Sequence, residues 1–204
     1  MLRFFPDEPV GPGSFADSFA DASGLADTNQ VSAVGGALTL DEDAETGYAF
    51  TGNAFSNTIS PSYLSRWDEI TFASTTPAGT TLAIKAYYYD GSVYTLIPDE
   101  DLPNNSTGLT ESPVDVSGLD IATYPSLQLG AFLDTIDASS TPELLDWSLS
   151  YLAGPSPLPN VSFDIQGSKT IGSTAGGDPV YKYDDSFTTT QFAEWFIDPI
   201  EWDN

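Results

Sequence analysis

Apolar and polar side chains alternate in many short runs between residues 15 and 152. A period of two is typical of half-buried β-strands, because successive side chains of a strand point to opposite faces of its sheet. The clearest runs cover residues 66–72, 81–89, 126–133 and 144–151. No run of useful length has the spacing of an amphipathic helix. The pattern therefore predicts an all-β fold.

The alternation also predicts which side chains point into the core. The predicted inward set is Asp68, Ile70 and Phe72, then Leu82, Ile84, Ala86 and Tyr88, then Leu127, Leu129, Ala131 and Leu133, and finally Leu145, Trp147, Leu149 and Tyr151. Trp67 is expected on the opposite face.

Asp90 and Gly91 predict a tight hairpin, because this dipeptide adopts the positive φ angles that such turns need. Burying so many one-faced strands favours a β-sandwich of the jelly-roll type.

Clusters of proline, glycine and charged residues divide the chain into four parts. Residues 1–14 are predicted to be an extended N-terminal arm, and residues 15–152 the jelly-roll β-sandwich. The proline-rich residues 153–160 are predicted to form a stiff linker, and residues 161–204 a short, incomplete second β-module. Such a layout is typical of modular surface proteins rather than of self-contained enzymes.

The N-terminal arm carries Phe4 and Phe5, two aromatic side chains that need an apolar surface to cover them. They either pack on their own protomer or dock into a neighbouring copy, so they are candidate assembly residues. The incomplete second module points the same way, because unpaired strand edges recruit strands from other chains. We therefore expect self-association or assembly with other surface-protein subunits.

Three segments carry a resemblance to a known group of domains: Phe15-Ala-Asp-Ser-Phe-Ala-Asp21, residues 67–80 and residues 141–151. Through them, residues 15–152 resemble the jelly-roll β-sandwich modules of bacterial and archaeal surface proteins. That broad group includes discoidin-like and carbohydrate-binding modules. The resemblance implies a fold more than an activity, and it implies a prokaryotic protein that is extracellular or held at the cell surface.

Residues 160–172, 178–183 and 200–202 carry a second resemblance. They look like the first strands of a prealbumin-like module, similar to carboxypeptidase-regulatory-like or Cna B-type repeats. Modules of that kind serve as stalks in exported and pilus-associated proteins. The segment is too short for a whole module, so its last strands would come from further sequence, from another subunit, or not at all.

The charge balance excludes several classes of partner. The chain has 30 acidic and 5 basic residues, a formal net charge of -25. Such a surface repels phosphate backbones and anionic lipids, so neither nucleic acid nor a membrane surface is an expected partner. No stretch of about 18 apolar residues suggests insertion into a membrane. Screening by salt or binding of divalent cations would relieve the repulsion, and calcium in an extracellular medium is the favoured interpretation.

Three groups of carboxylates are candidate calcium ligands, because calcium prefers hard oxygen ligands. The resemblance places a structural calcium where the first and last strands meet, which implies Asp17, Asp21 and Asp146. The other groups are consecutive or nearly so in the sequence: Asp41, Glu42, Asp43 and Glu45, and then Asp99, Glu100 and Asp101. None has the spacing of an EF-hand. The alternative for each group is a solvated acidic turn.

Catalysis is not expected from this composition. Histidine and cysteine are both absent, which excludes triads that contain them, thiolate metal sites, histidine-containing zinc sites and disulfides. A carboxylate-dependent glycoside hydrolase remains as a distant third hypothesis, because 30 acidic residues make a suitably spaced pair easy to find by accident.

Tyr87, Tyr89 and Tyr94 form a candidate carbohydrate-binding platform. The first two point away from the predicted core face, and Tyr94 lies across the predicted hairpin. Sugar faces stack on exposed rings, although cross-strand aromatic packing explains the same pattern without a ligand. The sequence as a whole predicts a non-catalytic, calcium-stabilised, structural or adhesive extracellular module. The alternative is a carbohydrate-binding module whose partners are glycans.

Overall fold

The computed structural model of the chain describes residues 11–154. The candidate assembly residues Phe4 and Phe5, most of the predicted linker and the predicted partial module at 161–204 lie outside the described residues. In the described part the protein is all-β, as the alternation predicts.

Thirteen strands make up the described part, and no helix occurs in it. They are β1 (Gly11–Asp17), β2 (Leu25–Asn29), β3 (Val31–Val34), β4 (Ala37–Leu40), β5 (Glu42–Asp43), β6 (Gly47–Tyr48), β7 (Thr51–Ser56), β8 (Leu64–Thr75), β9 (Thr80–Tyr89), β10 (Tyr94–Leu96), β11 (Val114–Asp115), β12 (Leu127–Thr135) and β13 (Glu143–Ala153).

These strands form two main antiparallel sheets and a small ribbon. The six-stranded sheet has the order β11-β8-β13-β4-β3, and β1 also pairs with β13. The five-stranded sheet has the order β10-β9-β12-β7-β2, and β5 pairs with β6 alone. One cluster of buried side chains draws on both main sheets. The architecture is therefore β-sandwich-like, with the apolar faces of the two sheets packed together.

The five-stranded sheet keeps strict alternation in its two central strands. In β9 the residues Leu82, Ile84 and Ala86 are buried, and in β12 four alternate residues, beginning at Leu127 and ending at Leu133, are fully buried. The inward positions predicted for these strands are confirmed. The hairpin from β9 to β10 is confirmed as well, but its loop is residues 90–93 rather than a two-residue turn.

The six-stranded sheet departs from alternation, and Trp67 shows how. Trp67 is fully buried, whereas the alternation predicted that it faces outward. In β8 three steps separate Ile70 from Trp67, but only two separate their partners Leu149 and Tyr151 in β13. This β-bulge adds one residue to β8 and brings Trp67 to the core side.

β-Bulges also explain why Asp68 and Leu145 do not face the core, although the alternation predicted that they would. The bulge in β8 leaves Asp68 half-exposed, and it pairs with Arg66 at 3.1 Å instead of facing the core. In β13 the register shifts between Leu144 and Asp146, so Leu145 is the extra residue. Leu144 is fully buried, and Leu145 is 37% exposed where the alternation predicted burial.

Strand β1 begins earlier than expected. Its pairing with β13 starts at Gly11 opposite Ala153, so residues 11–14 belong to the sheet and not to the extended arm predicted for 1–14. Gly13 lies opposite Tyr151, and a Cβ added to Gly13 would lie 2.4 Å from the ring atom Cε2 of Tyr151. A glycine is therefore needed at this position for the tyrosine ring to pack across β1.

Candidate functional site

The outer surface of the five-stranded sheet carries five aromatic side chains. Its strands bury alternate residues, so the remaining residues point away from the core. We call this surface the aromatic face and define it by eight residues: Phe55, Lys85, Tyr87, Tyr89, Tyr94, Gln128, Gly130 and Phe132. Register brings these residues side by side, since Phe55, Gly130 and Lys85 are consecutive cross-strand partners on β7, β12 and β9.

Three rings interlock at the centre of the aromatic face. The Phe55 ring lies 5.5 Å from Tyr87 and 5.9 Å from Phe132, measured between ring centroids, and both pairs meet edge to face. Edge-to-face pairs are favourable because the positive edge of one ring meets the negative face of the other. All three side chains are half-buried, and this burial raises the pKa of the Tyr87 hydroxyl.

Gly130 forms the floor beneath these rings. A Cβ added to Gly130 would lie 2.9 Å from Cε1 of Phe55 and 3.1 Å from Cε2 of Tyr87. Both approaches are closer than ordinary van der Waals contact, so the two rings occupy the space that a side chain would need. The lack of a side chain at Gly130 thus allows the two rings to pack against the strand.

Lys85 brings a positive charge to the aromatic face. Residues 11–154 contain two basic residues, Arg66 and Lys85, and Arg66 is paired with Asp68. The Nζ atom of Lys85 lies 5.1 Å from the centroid of the Phe132 ring, a cation–π contact. The same atom donates a hydrogen bond to the backbone carbonyl of Ser106 at 2.8 Å.

Tyr89 and Tyr94 form the exposed end of the aromatic face. Their ring centroids are 5.5 Å apart, and the residues are 45% and 38% exposed. The Tyr94 hydroxyl shares a hydrogen bond with the Thr58 hydroxyl. Of the predicted platform, the structure brings Tyr89 and Tyr94 together, whereas Tyr87 packs on Phe55 instead.

Phe55 and Phe132 were not predicted from the sequence. Strict alternation in β12 buries Leu129, Ala131 and Leu133, so Phe132 has to face outward in that strand. In β7 the alternate residues Ala54 and Ser56 are buried, so Phe55 between them also faces outward. Aromatic residues at the outward positions of a strand indicate an exposed apolar patch, and this signal could have identified both residues from the sequence.

The first group of calcium candidates does not converge. Asp17 Oδ1 accepts a hydrogen bond from the Phe19 amide at 2.9 Å, and Asp21 accepts one from the Ser23 amide at 2.8 Å. Asp146 is exposed beside the bulge of β13. The buried Oδ2 atom of Asp17 has no hydrogen-bond partner within the described residues.

The second group lies in and beside the β5–β6 ribbon. Asp41, Glu42 and Asp43 line an open cleft of about 520 Å³ together with Tyr48 and Phe50. The Asp41 carboxylate accepts a hydrogen bond from the Ser32 hydroxyl, and Asp43 Oδ1 accepts bonds from the backbone amides of residues 45 and 46, both at 2.9 Å. Glu45 is exposed. Asp43 therefore shapes the turn of the ribbon, and Asp41 is bonded to β3.

The third group lies in the loop that follows β10. Asp99 accepts hydrogen bonds from the Ser106 amide, at 2.7 Å, and from the Ser106 hydroxyl. Asp101 accepts one from the Tyr124 hydroxyl at 2.6 Å, and Glu100 is exposed. Burial together with this bond to Asp101 raises the pKa of Tyr124 to about 12.

Many aspartates in the described part act as caps of turns. Hydrogen bonds from nearby hydroxyl and backbone amide groups lower the pKa of seven carboxyls. Six of them, Asp21, Asp43, Asp90, Asp115, Asp120 and Asp137, cap turns, and the seventh, Asp99, bonds Ser106 seven residues ahead. Aspartate favours such turns because its side chain bonds the backbone two or three residues ahead. Among residues 11–154 no cluster of three or more acidic residues has a geometry that could hold a metal ion.

Within the described range, no helix long and apolar enough to cross a membrane occurs. No protein-family model, no curated protein and no solved structure matches this chain.

Proposed function

We propose that the chain is a non-catalytic structural and adhesive module of a prokaryotic extracellular protein, at the cell surface or in a filament, and that the aromatic face is its contact surface. The described domain would be a jelly-roll module, followed by a partial prealbumin-like module. The observation that carries the proposal is the covering of one outer sheet face by five aromatic side chains. Contiguous apolar patches of this kind mark interaction sites on soluble proteins.

Charge supports the choice of this face. Two copies of a chain with a net charge of -25 repel each other over most of their surface. None of the eight residues of the aromatic face is acidic, and Lys85 is basic. A contact centred on Lys85 and the rings removes aromatic area from water. The exposed Asp27, the cross-strand partner of Phe55, and the exposed Asp134 of β12 border this surface, so such a contact needs salt or cations to screen them.

The outer face of the six-stranded sheet offers a contrast that also supports the proposal. It carries small polar residues such as Thr71, Ser148 and Ser150. The hydroxyls of Thr71 and Ser148, cross-strand partners on β8 and β13, hydrogen-bond at 2.7 Å. The large exposed apolar side chains of this sheet are two aliphatic ones, Val34 at the end of β3 and Leu145 on the bulge of β13, rather than a set of packed rings.

Sedimentation of the full chain in 1 mM to 10 mM calcium, on the order of an extracellular concentration, tests the proposal. We expect self-association that the double variant Tyr89→Ala/Tyr94→Ala abolishes. The matched control, Ser148→Ala/Ser150→Ala on the opposite sheet, should associate as the wild type does. A wild-type chain that stays monomeric at every concentration, or a tyrosine variant that associates normally, would contradict the proposal.

Calcium belongs to the proposal as a stabiliser of the folded chain. The high density of carboxylates and the unpartnered Oδ2 atom of Asp17 support it. A ligand that binds only the folded state adds about 2.7 kcal/mol at a hundredfold excess over its Kd. We expect a higher melting temperature in calcium than in chelator at equal ionic strength. Identical melting curves would show that the carboxylates serve only as turn caps.

Carbohydrate binding is the second candidate function, and the exposed pair Tyr89 and Tyr94 favours it. Polar groups lie beside their rings, among them the Thr58 hydroxyl and the Asp90 carboxylate. Such groups exchange hydrogen bonds with sugar hydroxyls. An array of neutral and acidic glycans separates the two functions. Binding that is lost in Tyr89→Ala and kept in Ser148→Ala would support this candidate, whereas a blank array would leave the adhesive function alone.

A further inference from the structure

The loop between β10 and β11 contains two overlapping acceptor sequences for N-linked glycosylation. Asn104-Asn105-Ser106 and Asn105-Ser106-Thr107 both have the form Asn-x-Ser/Thr, in which x is not proline. In an exported chain this pattern marks an asparagine whose side-chain nitrogen accepts an oligosaccharide. The two asparagines are adjacent in sequence, but their surroundings differ completely.

Asn105 is a structural residue. It is fully buried, and its side-chain oxygen accepts a hydrogen bond from the Ala86 amide at 2.8 Å. Its Nδ2 atom donates to the backbone carbonyls of Ala86 and Ile97, each at 2.8 Å. Both amide hydrogens are thus used, one on β9 and the other on the residue that follows β10. A sugar on Nδ2 would replace one of these hydrogens and would need space that the buried site does not have.

Asn104 has the opposite environment. It is exposed, and it adopts a φ of 67°, a left-handed conformation that asparagine tolerates better than most residues. Its backbone carbonyl accepts hydrogen bonds from the Gly108 amide at 2.9 Å and from the Thr107 hydroxyl at 3.1 Å. The turn is therefore held through the backbone of Asn104, and a group attached to its side chain would extend into solvent.

We propose that Asn104 is an N-glycosylation site and that Asn105 is not one in the folded protein. A glycosyl pyrophosphate donor of the export machinery supplies the sugar. A bond forms between Asn104 Nδ2 and the anomeric carbon, the bond from that carbon to the pyrophosphate breaks, and one amide proton is lost. Because Asp99 holds the Ser106 hydroxyl in the folded loop, transfer precedes closure of the loop. A chain modified at Asn105 instead cannot close the loop around the buried amide, so folded protein carries the sugar on Asn104. The inference rests on the proposed extracellular location.

The test is secretion of the full chain from a host that glycosylates Asn-x-Ser/Thr sequences, followed by peptide mapping of the folded product. An amidase that converts glycosylated asparagine to aspartate marks each modified site. Ser106→Ala removes the acceptor sequence of Asn104 and keeps that of Asn105, while Thr107→Ala does the reverse and is the matched control. Asn104→Gln leaves Ser106 and its bond to Asp99 in place, in case Ser106→Ala folds poorly.

We expect a glycan on Asn104 in the wild type and in Thr107→Ala, and its complete loss in Ser106→Ala and Asn104→Gln. An unmodified Asn104 in the folded wild type, or a glycan on Asn105 of folded protein, would overturn the proposal. The sequence Asn160-Val161-Ser162 is a third acceptor pattern outside the described residues, and peptide mapping reads it separately. Fractionation of the source cells tests the extracellular location independently, so a failure of the location and a failure of the site are distinguishable.

Discussion

The two sheets of this domain share one core but present different outer faces. The five-stranded sheet exposes interlocked aromatic rings around Gly130, whereas the six-stranded sheet exposes small hydroxyl side chains that bond one another. The large aromatic side chains of the six-stranded sheet, Trp67 and Trp147, are instead fully buried. Both sheets bury their inner faces in this core, so the difference lies in the outer faces. Under the proposed function, the aromatic outer face is the one that makes contacts.

Trp147→Ala gives the largest expected effect, because Trp147 is the interior aromatic of the six-stranded sheet and packs 5.5 Å from Phe19 between ring centroids. Removing a buried ring of this size costs about 3–5 kcal/mol in the free energy of unfolding. Leu145→Ala is the control, since Leu145 lies two residues away on an exposed bulge and should cost less than about 0.5 kcal/mol. Urea unfolding measures both. Equal effects would mean that the register of β13 is wrong.

Gly130→Ala tests the aromatic face itself. Because the added Cβ would lie 2.9 Å from Phe55, the rings have to move, and we expect a loss of about 1–3 kcal/mol of stability. Gly118→Ala is the matched control, since a Cβ at Gly118 meets no atom within 4 Å. Urea unfolding and the near-ultraviolet circular dichroism of the tyrosines report the change. A Gly130→Ala protein with unchanged stability and spectrum would show that the rings are not tightly packed.

Tyr124 links the two sheets and gives a pH-dependent test. Its carbonyl accepts a hydrogen bond from Trp67 Nε1 at 2.8 Å, and its ring lies 4.9 Å from that of Tyr88. The pKa of Tyr124 is raised to about 12 in the folded state, above that of an unfolded tyrosine near 10. Its contribution to stability is therefore complete below pH 10 and falls by about 1.4 kcal/mol per pH unit between about 10 and 12. Tyr124→Phe should flatten the alkaline loss in urea unfolding, and an unchanged pH profile would contradict this assignment.

The sequence predicts the five-stranded sheet better than the six-stranded one for a physical reason. Strands β9 and β12 have no bulge, so each inward residue follows from its neighbours at a period of two. A single extra residue in β8 reverses the faces beyond it, which is why Trp67 is buried against the prediction. In β13 the extra residue is Leu145 itself, which the bulge turns out of the core. Nothing in the local pattern marks a bulge, because it depends on the pairing of distant strands.

The candidate site was predicted only in part. Tyr89 and Tyr94 follow from the hairpin, since their opposition depends on local sequence alone. Phe55 and Gly130 come from strands distant in sequence. Only the register of β7 and β12 places Phe55 beside Tyr87 and Gly130 beneath it. The acidic clusters were visible, but their use as turn caps depends on hydrogen bonds that composition does not reveal.

Hydroxyl-radical footprinting of the chain in its associated and dissociated states tests the central claim most directly. Tyr89 and Tyr94 report on the aromatic face, while Phe50 and Tyr63, which are 60% and 52% exposed elsewhere on the domain, are internal controls. If the aromatic face is the contact surface, oxidation of Tyr89 and Tyr94 falls on association and oxidation of Phe50 and Tyr63 is unchanged. Equal oxidation of Tyr89 and Tyr94 in both states, with protection at the control residues instead, would contradict the account.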